Sequence, residues 1–210
     1  MSARLVLALL ALVLAAAVAG CGDDDDSEGG TQAGGSEPAL LPEGGEVPDQ
    51  KIDDLDAAAE AAGCEQEETK ADSRDHVADI NAQVDYPTNP PTAGRHFGAA
   101  AEDGIYEEAP PDITVVHSHE HGRVVIWFKP SLPAKDRAGL RALVEDDSDK
   151  MLLIPRPNMP FDVAATAWNR DPEPLGTGRL LGCPSFGPEV YDALRTFRDE
   201  NRGQGPEAIP

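Results

Sequence analysis

The reading turns on Ile113-Thr-Val-Val-His-Ser-His-Glu-His-Gly-Arg-Val-Val-Ile-Trp-Phe128, which holds three of the chain's five histidines: His117, His119 and His121. Glu120 stands among them. Ile113 to His117 and Arg123 to Phe128 are β-branched or aromatic runs and read as strands, with Ser118 to Gly122 a tight turn or the middle of one long strand. In an extended chain the three imidazoles project from one face and Ser118 and Glu120 from the other. Across a turn, His117 and His121 meet at its mouth. A helical HxxxH face brings the same two together, but the β-branched flanks and Gly122 argue against it. Each geometry lets His117 and His121 reach one ion, and His119 joins them only in the extended case. Imidazoles at this spacing suit zinc or copper.

Outward from this stretch, the order of elements suggests an α+β fold. Ile52 to Gly63 reads as a short helix, capped by Asp53 or Asp54 and ended by Gly63. Val84 to Phe97 carries Pro87, Pro90 and Pro91, which exclude helix and central strand. It must be a stiff loop that holds His96 in place. Ala134 to Glu145 reads as a helix, Met151 to Ile154 and Asp162 to Trp168 as strands, and Gly187 to Asn201 as a helix with Val190, Tyr191, Leu194 and Phe197 at helical spacing. The expectation is a small antiparallel or mixed sheet with helices on one face.

The remaining histidines, His76 and His96, are the natural further ligands. Glu120 is a candidate ligand, general base or orienting partner of an imidazole. Met159 is a soft donor that would suit copper, or a core residue. No Gly-rich phosphate loop, GxSxG elbow or CxxC pair occurs.

The N-terminus reads as an address. Arg4 precedes the unbroken apolar run Leu5 to Ala19, then Val18-Ala19-Gly20-Cys21, and acidic residues follow instead of a basic stop-transfer flank. The tetrapeptide resembles the bacterial lipobox, which implies cleavage before Cys21 and a lipid anchor on its sulfur. Residues 1–20 are thus expected as a lipoprotein signal peptide, 21–50 as a disordered acidic tether, and 51–210 as one domain. With Cys21 set aside, Cys64 and Cys183 form an even pair, expected as a disulfide in an exported protein. The formal charge of −22 excludes nucleic acid as a partner on electrostatic grounds. The expected location is the outer side of a bacterial cell membrane, with the lipid as the membrane contact.

Several segments together resemble an uncharacterised bacterial family of extracytoplasmic proteins, the domain of unknown function numbered 3105. They are Tyr86-Pro-Thr-Asn-Pro-Pro-Thr-Ala-Gly-Arg-His-Phe97, Gly104-Ile-Tyr106, His117-Ser-His-Glu-His-Gly-Arg-Val-Val-Ile-Trp-Phe-Lys-Pro130, Pro155-Arg156, Met159-Pro160 and Ala165-Thr-Ala-Trp168. The resemblance implies histidines in common at His76, His96, His117 and His121, and the acid at Glu120. It implies an apolar residue where this chain has His119. It thus favours a ligand set of His76, His96, His117 and His121, and it implies no activity. The function expected is metal binding by an anchored lipoprotein. The alternatives are a metal-dependent hydrolase with Glu120 as base and a non-metal binding or assembly module of the cell envelope.

Overall fold

Asp54 caps the first helix, accepting a hydrogen bond from the Ala57 amide at 2.9 Å, and Gly63 ends it in the left-handed conformation at φ 64°. This helix, α1, is Leu55–Ala62. The Cys64 amide closes back on the Ala59 carbonyl, so the chain turns directly into the strand β1, Glu65–Lys70. The computed structural model describes residues 39–207. The expected signal peptide, the lipidation site Cys21 and most of the expected tether lie outside the described residues.

Two short strands follow, β2 (His76–Val77) and β3 (His96–Phe97), paired in parallel with His76 opposite His96. Next come β4 (Gly104–Ile105), α2 (Asp112–Glu120), β5 (Val124–Phe128), α3 (Ala134–Asp146), β6 (Met151–Pro155), β7 (Val163–Asn169), β8 (Thr177–Cys183) and α4 (Val190–Asn201). The main sheet is six-stranded and mixed, in the order β1-β8-β7-β5-β6-β4. The β4, β6 and β5 strands run parallel, and the β5–β7, β7–β8 and β8–β1 pairs are antiparallel. The fold is α+β.

Side chains alternate across the sheet. Val124, Ile126 and Phe128 of β5 join one core with Leu140 and Leu143 of α3, Leu194 and Phe197 of α4, and Ala58 of α1. Val125 and Trp127 face the other way and pack with Val115 of α2, Leu152, Ile154 and Met159. Three helices therefore share one face, whereas α2, alone among the described helices, covers the other, where none was expected.

Three readings need correction. Ile113 to His117 is helix, not strand. Pro111 sets the entry backbone without needing a hydrogen-bond donor, Asp112 favours the first turn, and the residues Ile113 to Glu120 are all buried, so packing overrides the weak β preference of Ile113, Val115 and Val116. The strands β1 and β8 were not expected. Glu65-Gln-Glu-Glu-Thr-Lys70 has no apolar residue at all, but as an edge strand it needs none, because its ladder to β8 and an Arg179–Glu68 ion pair hold it. Finally, residues 39–50 are not tether. They form a strap in which Leu41 is fully buried in the larger core, with Arg141 donating to the Leu41 carbonyl at 2.9 Å and Arg195 to the Pro48 carbonyl at 2.7 Å.

Cys64 and Cys183 form the expected disulfide. Glu65 pairs with Gly182 in the β1–β8 ladder, so the register itself brings the neighbouring cysteines together.

Candidate metal centre

Two unrelated pieces of chain build the site. The β2–β3 pairing sets His76 beside His96, and the last turn of α2 presents His117 and Glu120, three residues apart and so on one face. The ring centroids of His76, His96 and His117 lie 4.7 to 4.9 Å from one another. One ligating atom from each of His76, His96, His117 and Glu120 can be chosen so that all lie within 4.8 Å of one another. The end of α2 carries the negative pole of the helix, a setting that favours a cation.

Hydrogen bonds fix the two buried rings. His96 is fully buried, and its Nδ1 lies 2.8 Å from the Gly94 carbonyl oxygen. His117 Nδ1 lies 2.5 Å from the Phe97 carbonyl oxygen. A carbonyl only accepts, so both Nδ1 atoms carry a proton, and in the neutral rings both Nε2 atoms turn a lone pair toward the cluster. This is how metal-ligating imidazoles are held. Burial lowers the His117 pKa, opposed by the Phe97 hydrogen bond and reinforced by neighbouring imidazoles, which keeps the ring neutral and able to ligate.

Glu120 is 2% exposed. Burial pushes its pKa up, but the hydrogen bond and charge of Arg74, joined by His96 when that ring is protonated, outweigh it and hold the carboxyl below its ordinary value. Arg74 Nε donates to Oε1 at 2.7 Å, which leaves Oε2 facing His96 Nε2 at 2.9 Å and His76 Nε2 at 3.8 Å. The His96 Nε2 contact is close but not aligned as a hydrogen bond, and that nitrogen is buried with no hydrogen-bond partner. A buried lone pair set against a buried carboxylate is stabilised by a cation shared between them, and imidazole with carboxylate is a donor set that zinc and copper accept. The residues fit a metal ion. His76, with its side chain 49% exposed, forms the solvent side of the group.

The structure divides the residues expected from the sequence. His121 lies outside the group of four. It sits beside His117, Nε2 to Nε2 at 2.9 Å, with Glu207 Oε2 at 3.4 Å. His117, His121 and Glu207 form a second close grouping. Burial lowers the His121 pKa, against the opposing pull of Glu207. His119 points away from both. It is fully buried, Nε2 lies 2.9 Å from Thr166 Oγ1, and burial pushes its pKa down to about 3. Met159 is a core residue beside Trp127.

Sequence reasoning missed Arg74 and Glu207. A buried acid requires a cationic partner, so Glu120 implied an arginine without saying which. Nothing in the sequence near Glu207 marks it. The tail reaches the site because its backbone crosses the end of α2: the Glu207 amide donates to the Glu120 carbonyl at 2.9 Å and the Gly203 amide to the Gly122 carbonyl at 2.8 Å. Gly122 turns at φ 79°, and a Cβ on Gly205 would stand 2.3 Å from the Glu120 oxygen, so the crossing needs both glycines.

Residues 76–174 match the model of a family described as "Protein of unknown function (DUF3105)". The matched span contains His76, His96, His117, Glu120 and His121, and it ends before Cys183 and Glu207. No curated protein and no solved structure matches the chain.

Proposed function

We propose that this protein is an extracytoplasmic lipoprotein that handles a transition-metal ion, zinc or copper, through His96, His117 and Glu120, with His76 as the ligand on the solvent side. The observation that carries the reading is the convergence of three imidazoles on one buried carboxylate, with the two buried rings turned Nε2-inward by backbone carbonyls. Imidazole and carboxylate favour zinc or copper(II) over copper(I), and the Met159 thioether lies in the core. The exposed edge at His76 lets an ion enter and leave, which suits handling better than a closed structural site.

Glu120 fits the role of ligand better than that of hydrolytic base. A base works best with a pKa near the operating pH, and Arg74, donating to Oε1 at 2.7 Å, holds this carboxyl below its ordinary value. The disulfide is consistent with export. No described helix is long and apolar enough to cross a membrane, and the reading assigns anchoring to a lipid on Cys21.

The test is metal content by mass spectrometry on untagged protein spanning residues 22–210, exported by its own host, beside a His96→Ala/His117→Ala variant. The expected result is about one equivalent of one metal, lost in the variant. Mixed substoichiometric metals unchanged by the substitutions would overturn the metal reading. Full-length Cys21→Ala protein should leave the membrane fraction, and its complete retention there would overturn the anchor.

A further inference from the structure

We infer that His121 is a latch on the metal site and not one of its ligands: in the metal-free protein its Nε2–H caps the His117 lone pair, and on metal binding it passes that hydrogen bond to Glu207 on the C-terminal tail. The inference rests on the metal reading above and names what regulates it.

His117 Nδ1 faces the Phe97 carbonyl, which only accepts, so the His117 proton is on Nδ1 and Nε2 is a bare lone pair. His121 Nδ1 faces Arg123 Nη1 at 3.3 Å, and a guanidinium only donates. His121 Nδ1 must therefore be the acceptor, and the His121 proton is on Nε2. Arg123 is itself held by Asp103, so the lock has a fixed base. The two Nε2 atoms, 2.9 Å apart, then form one hydrogen bond in one direction, from His121 to His117.

Two consequences follow. The lone pair that would bind metal at His117 is already occupied, and an ion must displace the His121 N–H. For His121 to ligate through Nε2 instead, its proton would have to move to Nδ1, where it would meet the Arg123 donor head-on. Glu207 Oε2, 3.4 Å from His121 Nε2, is the acceptor that receives the displaced N–H. No proton is gained or lost: the His121 N–H swings from one acceptor to another. Because Glu207 belongs to the tail that crosses the end of α2, metal loading and tail docking favour each other, and linkage requires the effect to run both ways.

The test uses the chain from residue 22 to 210. Nitrogen-15 spectra of the metal-free protein should show His117 protonated at Nδ1 and His121 at Nε2; the opposite tautomer at His121 would overturn the latch without any substitution. Zinc titrations then compare wild type, His121→Ala, Glu207→Ala and Glu207→Gln. His121→Ala should bind zinc about 2- to 12-fold more tightly, the range spanned by the net worth of one hydrogen bond. Glu207→Ala should bind more weakly by a similar factor, and Glu207→Gln, which keeps an acceptor, should recover most of the loss. A His121→Ala variant that loses zinc as His96→Ala/His117→Ala does would make His121 a ligand and overturn the latch while the metal reading stands. Absence of zinc binding by the wild type would instead overturn the metal reading, and the latch with it.

Discussion

His117 and His119 are two residues apart and meet opposite fates. Two residues are about 200° around a helix, which sends His117 to the β2–β3 pair and His119 to the sheet, where Thr166 Oγ1 takes a 2.7 Å hydrogen bond from Trp127 and sits 2.9 Å from His119 Nε2. The other nitrogen of His119, Nδ1, is buried without a partner. An unpaired buried polar atom is destabilising, and Thr166 keeps Trp127 as a partner if the imidazole is removed. We expect His119→Leu to raise stability by about 1 kcal/mol in urea unfolding and to leave metal content unchanged. A fall in bound metal would return His119 to the site. The sequence alone left His119 open because its side depends on whether the segment is strand or helix.

At the scale of elements, the same ambiguity explains what was and was not legible. Asp54 and Gly63 bracket α1 because caps are local chemistry, and Val190, Tyr191, Leu194 and Phe197 declare α4 by their spacing. The α2 helix is buried along its whole length, so it has no amphipathic stripe, and Val115-Val116 looks like strand. Its position is set from outside. Arg156 makes a bidentate contact with Asp112 in the first turn at 2.7 and 2.9 Å, donates to Asn89 in the proline-rich loop at 2.6 Å, and lies 5.1 Å from the centre of the Trp127 ring. A lysine cannot reproduce that fork. Arg156→Lys is expected to cost about 1–2 kcal/mol and to weaken metal binding, because it frees both the helix that carries His117 and the loop that carries His96. Unchanged affinity with reduced stability would show that the loop holds His96 without help.

Asp147, just past α3, plays a comparable part for α4: Arg202 grips it at 2.6 and 2.7 Å. The Arg202 hydrogen bonds, opposed by partial burial, hold the Asp147 pKa below its ordinary value. A carboxyl whose folded pKa is depressed adds stability above its unfolded value, near 3.8, and loses it as the pH falls through the lower folded one. Solvent reaches the pair, so the contribution is about 0.5–1 kcal/mol. Asp147→Asn should therefore be less stable than wild type by that amount at pH 7, and the deficit should vanish as the pH falls through the lowered folded value. A deficit that persists in acid would mean the asparagine disturbs the turn itself.

The whole molecule places its two covalent-scale devices on opposite faces of one sheet. Cys183 belongs to the core shared by α1, α3 and α4, whereas the histidine cluster sits with α2 and the β2–β3 pair on the far side. The cysteine pairing was legible because parity and the export expected from the N-terminal sequence suffice to suggest it. The set of candidate ligands was only half legible, because Glu120 and His96 meet through packing that no spacing encodes. The disulfide closes a separation of 119 residues, and Cys64→Ala/Cys183→Ala is expected to cost about 2–5 kcal/mol. Metal binding should stabilise the folded chain in proportion to the logarithm of free metal over its dissociation constant. With a packed sheet between them and no shared side chain, the two effects should add. The increment from zinc, measured by denaturant unfolding, should be the same in wild type and in the cysteine variant to within about 0.5 kcal/mol. An increment that shrinks without the disulfide would mean that the β1–β8 edge carries strain to β7, whose Trp168 ring lies 5.8 Å from that of His96. Trp168→Phe in the cysteine-free background would then show whether that contact carries the coupling.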